Sequence, residues 1–443
     1  MPKRNSRKGP KKKLNPEKLR LAVKRSNTLL LTYAVVLFQF TALILLSLKD
    51  MPVDYQALAL AIALPLVTLI LVSVAPRIWP VDQVLLVLAL FLASIGIVIL
   101  KDIARSPLTP QNQAIFFAIG LGAMLICVVF MRALRNWERY VPWAIIGGLA
   151  AQAAPLVFGR SAEVEGIRRW ISIAGIFTVQ PSEFVKILLI LVLAASFSNR
   201  HRLRSMFPAI AFAALNCGLL LVCRDLGTLM LYFFTTVLMF FAATSNLLLT
   251  GAGLGAGAVG AVISYNMFSH VRRRVETWQN PWADAAGGGY QVVQALIAMG
   301  TGGLFGMGLG LGLPRYIPLY ASDFVFAAIA EEFGVIFALC LLMVYVLIIM
   351  RGVSVAMSAR TAFHALTCLG VVTMIGLQAF TIVGGVIKLI PLTGVTLPFV
   401  SAGGSSLVSC FACIGLLLGV SSINADEEAH DVNRLSLGEE VNV

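Results

Sequence analysis

Apolar runs of about 20 residues recur along this chain of 443 residues, and they constrain its fold more than any other feature. Each run is long enough to cross a hydrocarbon core roughly 30 Å thick as a helix. Hydrophobic residues make up 59% of the chain and charged residues only 12%, which leaves too few polar side chains to cover a soluble protein of this size. The runs do not alternate apolar with polar residues, as strands of a membrane β-barrel would. We therefore predict an all-α polytopic membrane protein.

Run length and the polar residues between runs predict about twelve transmembrane helices. The first run exceeds the apolar core of a signal peptide and has no convincing cleavage site after it, so we expect it to remain as a helix. The predicted spans are 29–48, 57–75, 82–100, 113–131, 141–158, 181–198, 207–223, 226–243, 247–265, 323–350, 362–389 and 396–421.

The distribution of basic residues predicts the orientation. Residues 1–25 contain eleven Lys and Arg against Glu17 alone, and a hydrophobic segment follows at once. This pattern is typical of a cytoplasmic anchor that touches anionic membrane lipids, and we expect no nucleic-acid partner. With the N-terminus in the cytoplasm, the C-terminus is also cytoplasmic, and segments 159–180 and 266–322 lie outside. The loops then left inside contain Arg77, Arg132, Arg135, Arg139, Arg200, Arg202, Arg204, Arg351 and Arg360.

The long outer loop, 266–322, carries three consecutive arginines, Arg272, Arg273 and Arg274. They are consistent with a solvated basic edge or with a phosphate-binding patch, since guanidinium groups clamp phosphate oxygens well. Residues 291–313 are apolar but rich in glycine, which favours a re-entrant or interfacial segment over a packed span. The glycines fit neither nucleotide-loop pattern, GxGxxG or GxxxxGK, so we expect no nucleotide cofactor.

Ionisable residues within apolar spans are costly and are therefore candidates for function. Glu183 and Lys186 stand three residues apart on one helix face, where they form either a neutral pair that locks helices together or a substrate contact. Asp225 lies at a predicted helix start, where an acidic cap is the simple explanation. Asp323 stands at the mouth of a long span. The seven cysteines and four histidines show no disulfide or metal-ligand spacing.

Several segments together resemble the SEDS family (FtsW, RodA and SpoVE), the glycan polymerases of division, elongation and sporulation. The order and spacing agree from about residue 82 to the end of the chain. The matching segments are RRWI at 168–171, QPSEFVK at 180–186, DLGT at 225–228, GGGYQ at 287–291, GTGGL at 300–304, DFVFA at 323–327 with AEE at 330–332, and PLTGVTLPFVS at 391–401 with GGSS at 403–406.

The chain departs from the family pattern at a few positions. Cys223 and Arg224 replace the Gln-Pro that usually precedes DLGT, and Ala402 replaces a tyrosine. The first two predicted spans are additional to the ten helices of the family. Charge distribution and run length predict a basic cytoplasmic tail at 1–27, two extra helices within 28–80 and an acidic cytoplasmic tail at 423–443. The resemblance implies a polymerase core at 81–422 that includes the outer loop, 266–322.

The resemblance implies that Asp284, the acidic residue of the outer loop, is catalytic. A carboxylate there would take the proton from a sugar 4-hydroxyl as it attacks an anomeric carbon that bears lipid pyrophosphate. One inverting displacement converts the α-linked donor, lipid II, into β-1,4-linked glycan. The residues that we expect to contact or support substrate are Arg168, Arg169, Trp170, Glu183, Lys186, Asp225, Arg272, Arg273, Arg274, Gln291, Asp323, Ser401 and Ser405.

The resemblance also implies partners and a cofactor. These are lipid II and the nascent glycan, a class B penicillin-binding protein with transpeptidase activity, and a divalent cation, Mg²⁺ or Mn²⁺, for which no metal motif is present. The alternative activity is a flippase or transporter for lipid II, although no internal symmetry of the kind found in transporters is clear. A scaffold that only recruits a transpeptidase is a further alternative. The residues leave open whether the protein serves division, elongation or sporulation.

Overall fold

The computed structural model describes residues 16–49, 52–103, 108–133, 137–159, 169–173, 177–198 and 203–436. Within them, twelve helices are long and apolar enough to cross a membrane, which confirms the predicted polytopic fold. The fourteen α-helices are α1 (Pro16–Lys49), α2 (Tyr55–Ile78), α3 (Gln83–Ile103), α4 (Leu108–Ala133), α5 (Val141–Phe158), α6 (Pro181–Ser198), α7 (Leu203–Val222), α8 (Leu226–Thr244), α9 (Leu247–Met267), α10 (Ser269–Gln279), α11 (Tyr290–Gly302), α12 (Val325–Met357), α13 (Ala362–Val386) and α14 (Gly404–Ser436).

A small hairpin stands apart from this helical architecture. Strands β1 (Ile171–Ile173) and β2 (Phe177–Val179) pair antiparallel, with Ile171 opposite Val179. The hairpin leads directly into α6 and so places Arg169 and Trp170 beside the first turn of that helix. Three short 3-10 helices complete the described elements: Trp137–Tyr140, Pro281–Asp284 and Pro314–Tyr316.

The centre of the bundle is formed by α3, α6, α13 and α14, whose side chains are mostly buried among other helices. These helices are apolar on nearly all faces, as expected of spans surrounded by protein rather than by lipid. In contrast, α9 has no buried residue and exposes large apolar side chains such as Leu248 and Val259 along its length. This contrast separates the protein-facing spans from those that face lipid.

Helices α1 and α2 form a hairpin that packs against α3. Gln39 on α1 is fully buried, and its side-chain amide donates hydrogen bonds to Thr68 Oγ1 on α2 (2.9 Å) and Ser94 Oγ on α3 (2.7 Å). At the other end of the hairpin, Lys49 pairs with Asp102. Polar contacts of this kind link transmembrane helices because lipid offers them no other partners.

Helix α12 is broken at Gly334, which has a φ of 82°. The predicted span 323–350 contained no such break and ended sooner than Met357. A glycine-rich turn, residues 303–313, enters the break and satisfies the freed backbone groups, as irregular backbone in a membrane protein requires. The carbonyls of Glu331 and Glu332 accept hydrogen bonds from Met307 N and Gly308 N, both at 2.9 Å. On the far side, Val335 N donates to Gly303 O at 3.0 Å.

The last helix differs from its predicted span, 396–421. Residues 396–403 form irregular backbone in which Phe399 has a φ of 66°, and α14 begins only at Gly404. The helix then continues to Ser436, so most of the predicted acidic tail, 423–443, is helical. Ion pairs stabilise this extension: Arg132 with Asp426 at 2.7 Å, and Arg360 with Glu427 at 3.4 Å.

Candidate functional site

One cavity lies inside the bundle, at the ends of α6, α8 and α13. We call it the inner cavity; its volume is about 280 Å³. Its floor is the ion pair between Glu183 and Lys186 at the start of α6. Three further predicted substrate contacts line the inner cavity: Arg169, Trp170 and Asp323. Gln378, which contacts the ion pair, lines it as well.

The Glu183–Lys186 pair is almost shielded from water. The two side chains meet at 2.5 Å, and the side chain of Lys186 is 4% exposed. Lys186 also donates to Gln378 Oε1 at 3.2 Å, and Ser409 Oγ donates to Glu183 Oε2 at 2.9 Å. A charge pair buried this deeply requires such extra hydrogen bonds to offset desolvation. The pair therefore joins α6, α13 and α14, and one side of it still faces the inner cavity.

Asp225 is the N-cap of α8, as the simple explanation of its position predicted. Its carboxylate accepts from Thr228 N at 3.3 Å and from Thr228 Oγ1 at 2.9 Å. The amide of Gln180 donates to the same carboxylate at 3.1 Å, and Arg169 lies 4.0 Å away. Arg169 in turn donates to the carbonyls of Cys223 and Arg224. The RW, QPSE and DLGT segments thus form one hydrogen-bonded wall of the inner cavity.

A second cavity of about 280 Å³ lies below α10, and we call it the loop cavity. Its lining includes the cationic side chains of Arg273, Arg274 and Lys388, together with Gln291. Three residues, Leu319, Asp323 and Gly394, line both the loop cavity and the inner cavity. The two cavities are therefore neighbours that share one wall.

Asp284 is hydrogen-bonded to a residue that lines the loop cavity, Gly288. It ends the 3-10 helix Pro281–Asp284, and its exposed carboxylate accepts a hydrogen bond from Gly288 N at 2.7 Å. Gly288 itself lines the loop cavity. A Cβ atom at Gly287 would lie 2.5 Å from Asp284 Oδ2, so the GGG sequence lets the backbone fold around the carboxylate. The exposed position leaves the carboxylate able to approach a bound substrate.

Two side chains fix α10 over the loop cavity. Arg274 Nη1 donates to Thr393 O at 2.9 Å, and Trp278 Nε1 donates to Lys388 O at 3.1 Å. Arg272 points elsewhere: it donates to Asn266 O at 3.3 Å and lies 5.7 Å from the ring centre of Tyr265. Of the three consecutive arginines, Arg273 and Arg274 line the cavity, while Arg272 contacts the end of α9.

Asp323 lies in the wall between the cavities. Burial raises the pKa of its carboxyl above the usual value, and the Ser322 hydroxyl, Arg274 and Arg169 offset this effect only in part. A Cβ atom at Gly394 would be 3.4 Å from Asp323 Oδ2 and 3.9 Å from Arg274 Nη2, so the acid, the arginine and the glycine backbone converge. Gly394 has a φ of 74°, which favours glycine.

Besides Asp225 and Arg272, two further predicted substrate contacts line neither cavity. Ser401 Oγ donates to Ser322 O at 2.6 Å and accepts from Leu397 N, and Ser405 Oγ accepts from Gln180 N at 3.1 Å. Both serines are buried and line neither cavity; they stabilise the backbone around the inner cavity. Arg168 lies outside the described residues. Their roles as substrate contacts stay predictions.

Sequence reasoning missed Gln378 and Trp278 as site residues. Gln378 is a polar residue within the apolar span α13, and that position is a signal that could have identified it. Its amide donates to Thr396 O at 2.9 Å, which ties α13 to the segment before α14. Trp278 carried no comparable signal, because an aromatic residue in an outer loop has many possible positions.

The described residues contain no group of three or more His, Cys, Asp or Glu side chains that could hold a metal ion. Asp284 and Asp323 are single carboxylates, and Asp284 already accepts a backbone hydrogen bond. Among the described residues, this donor set does not form a site for the predicted Mg²⁺ or Mn²⁺ by itself.

Comparison with known proteins gives consistent matches over most of the chain. Residues 78–426 match the family model FTSW_RODA_SPOVE, described as a cell cycle protein family. The peptidoglycan glycosyltransferase RodA of Mycobacterium tuberculosis H37Rv is 34% identical over 328 residues, which is 70% of each chain. Stage V sporulation protein E of Bacillus subtilis 168 is 33% identical over 364 residues, 77% of this chain and 96% of the relative.

Solved structures agree with these matches. A chain from a peptidoglycan synthase complex, described as coordinating polymerization and crosslinking, aligns with a TM-score of 0.64 at 26% identity, over 78% of this chain and 98% of its own. The crystal structure of Thermus thermophilus RodA aligns with a TM-score of 0.58 at 27% identity, over 77% of this chain and 96% of its own. Helix α1 and all of α2 but its last residue precede the matched family region.

Proposed function

The chain belongs to the FtsW/RodA/SpoVE family, and from this premise we propose that it is a peptidoglycan glycosyltransferase that polymerises lipid II into β-1,4-linked glycan at the outer face of the cytoplasmic membrane. One observation carries the proposal. Asp284 is hydrogen-bonded to Gly288, which lines a cavity with cationic side chains, and that cavity shares the Asp323 wall with a second cavity. A polymerase needs two neighbouring sites, one for the lipid-linked donor and one for the acceptor sugar.

Asp284 has the geometry of a general base. An exposed carboxylate at this position can reach the 4-hydroxyl of an acceptor sugar and remove its proton while the oxygen attacks the donor. Gly288 N–H holds one carboxylate oxygen, which leaves the other free to accept that proton. The oxygen–anomeric carbon bond forms as the bond to pyrophosphate breaks, so the configuration inverts and no second, nucleophilic carboxylate is needed.

The loop cavity supplies positive charge for the leaving pyrophosphate. Arg273, Arg274 and Lys388 line it. A guanidinium group can form two parallel hydrogen bonds with the oxygens of one phosphate. Arg274 is already anchored to the carbonyl of Thr393, so its position is fixed before substrate arrives. Such preorganised charge lowers the barrier because little reorganisation is needed during reaction.

The inner cavity differs from the loop cavity in its charge. Its base is the neutral Glu183–Lys186 pair, and Arg169 and Trp170 also line it. An arginine beside an aromatic side chain suits a sugar-phosphate group, since one binds oxygens and the other packs on the apolar face of a ring. We assign the inner cavity to substrate contact next to the reacting groups.

The proposed partner is a class B penicillin-binding protein. The solved complex, one chain of which aligns with this chain, is described as coordinating polymerization and crosslinking. Crosslinking of peptidoglycan is in general a transpeptidase reaction. We propose that this chain polymerises glycan in a complex of that kind and that both of its termini lie in the cytoplasm.

Liposomes distinguish the polymerase from the alternative lipid II flippase. The protein would be reconstituted with its transpeptidase partner and fluorescent lipid II, and both glycan length and the transfer of lipid between leaflets would be measured. Glycan chains without faster lipid transfer are expected. Lipid transfer without glycan would replace the proposal by the flippase. The absence of both activities would favour the remaining alternative, a scaffold that only recruits a transpeptidase.

A further inference from the structure

Lys49, at the end of α1, lies next to the glycine-rich turn that follows α11, and α11 follows the Asp284 loop. Its Nζ lies 3.0 Å from Asp102 Oδ1 on α3, and the side chain of Asp102 is only 2% exposed. A buried carboxylate requires a neutralising partner, and Lys49 is that partner. Lys49 belongs to the α1–α2 hairpin, which lies before the residues matched by the family model.

The ion pair lies against the glycine-rich turn. A Cβ atom at Gly310 would be 2.2 Å from Lys49 Nζ and 2.7 Å from Asp102 Oδ1, so the turn passes directly over the pair. Glu332, on the first part of α12, also faces Asp102 and the backbone of Gly310. Without the cation, two carboxyl groups would face each other beneath the turn.

The same turn is the far end of α11, and α11 leads back to Asp284. The turn enters the break in α12 through hydrogen bonds from Met307 N and Gly308 N. Helix α11 (Tyr290–Gly302) is about 20 Å long at 1.5 Å per residue, and its last residue packs so closely on α12 that a Cβ atom at Gly302 would lie 2.2 Å from Ala330 O. A displaced turn would therefore also displace the end of α11, the helix that follows the Asp284 loop.

We infer that Lys49 is a positioning residue for the Asp284 loop: by neutralising Asp102 beside Glu332, it keeps the glycine-rich turn inserted in the break in α12. This inference rests on the proposed function for its effect on catalysis. It also assigns a role to the additional α1–α2 hairpin, because α1 supplies the positive charge next to Asp102 that α3 and α12 do not supply there.

The test compares Lys49→Met with Lys101→Met. Lys101 is a matched control, because it pairs with Asp54 at 2.6 Å at the same end of the α1–α3 contact and lines no part of the turn in the contacts described. Hydrogen exchange at Met307 and Gly308 would be followed in detergent micelles, and kcat and KM for lipid II polymerisation would be measured on the same samples. Lys49→Met is expected to speed exchange and to lower kcat roughly tenfold, with KM within about twofold, since neither cavity is altered. Lys101→Met is expected to leave both quantities near the wild-type values.

Two further variants separate positioning from folding. Lys49→Arg keeps the charge and is expected to retain slow exchange and most of kcat. The double variant Lys49→Met/Asp102→Asn removes the unpaired buried charge and is expected to recover both, even where the single variant folds poorly.

Three results overturn the inference: unchanged exchange in Lys49→Met, faster exchange with unchanged kcat, or a double variant as impaired as the single one. A wild-type protein that makes no glycan would refute the proposed function and with it the effect on kcat. Exchange at Met307 and Gly308 would then still decide whether Lys49 holds the turn.

Discussion

At the scale of single residues, the Glu183–Lys186 pair shows how a membrane protein keeps charge in its interior. The pair is surrounded by Gln378 and Ser409, which satisfy further donors and acceptors. Replacing one partner leaves a buried charge without neutralisation, whereas replacing both removes the charge altogether. The energetic consequence of each change is therefore different.

Lys186→Met is expected to lower the free energy of unfolding by about 3–5 kcal/mol, because Glu183 loses its counter-charge. Glu183→Gln is expected to act in the same direction. The double variant Glu183→Gln/Lys186→Met should lose less than the sum of the two single losses. Reversible unfolding in mixed micelles measures these differences, and strictly additive losses would show that the two side chains are not coupled.

Asp323 predicts a dependence of stability on pH. Burial raises the pKa of its carboxyl in the folded protein above the usual value of 3.8. The protonated Asp323 carboxyl is therefore favoured in the folded protein. The stabilisation that it gives is fully present below pH 3.8 and is lost as the pH rises through the pKa of the folded protein. Asp323→Asn should remove this part of the pH dependence. Melting temperatures of both proteins across this window measure it, and parallel curves would contradict the expectation.

The site was predictable from the sequence only in part. Intramembrane charge and motif order identify Glu183, Lys186 and Asp323, since such residues are costly without a purpose. Motif order does not give side-chain direction. Ser401 and Arg272 are near the site in sequence, yet one bonds to Ser322 O and the other to Asn266 O. Those directions depend on contacts between distant segments.

At the scale of elements, the break in α12 is the feature that organises the outer end of the bundle. Hydropathy predicted the span but not the break, because Gly334 lies in an apolar run that reads as continuous helix. The break exists because the glycine-rich turn supplies partners for the freed backbone groups. In the same way, the predicted start of the last span was too early. Phe399 has a φ of 66°, which interrupts the helix, and Ala402 N and Ser401 Oγ donate to the carbonyls of Ala321 and Ser322 in another segment.

Gly306 tests this arrangement. It has a φ of 83°, and a Cβ atom there would lie 2.1 Å from Glu332 O. Gly306→Ala is expected to lower the free energy of unfolding by more than about 2 kcal/mol, because backbone strain and a clash combine.

Gly300→Ala is the matched control, since Gly300 is helical and has no atom within 4 Å of the added Cβ. It should be neutral or slightly stabilising. Unfolding of the purified variants measures both changes. Equal stability of the two variants would show that the turn does not need glycine at Gly306.

At the scale of the whole molecule, three candidate membrane spans, α12, α13 and α14, follow Asp284. Asp284 and the end of α14 are therefore expected to lie on opposite sides of the membrane. The positive-inside pattern of the loops predicts that the loop containing Asp284 is outside and that both termini are inside. All seven cysteines fall in or beside apolar runs, which leaves the soluble loops suitable for labelling.

Trp282 and Glu428 are both exposed and are therefore suitable reporters. A membrane-impermeant maleimide is expected to label Trp282→Cys on intact cells and to label Glu428→Cys only after the membrane is opened. The unaltered protein provides the background. Labelling of Glu428→Cys on intact cells would reverse the proposed orientation.

The most direct measurement is glycan synthesis from purified lipid II by the reconstituted protein with its transpeptidase partner, compared with Asp284→Asn. The asparagine side chain can still accept the Gly288 hydrogen bond but cannot act as the base. Glu276→Gln, which removes an exposed carboxylate on α10 in the same loop, is the control. We expect Asp284→Asn to lower the rate at least roughly 100-fold, with Glu276→Gln near the wild-type rate. A folded Asp284→Asn protein that polymerises lipid II as fast as the wild type would contradict the account.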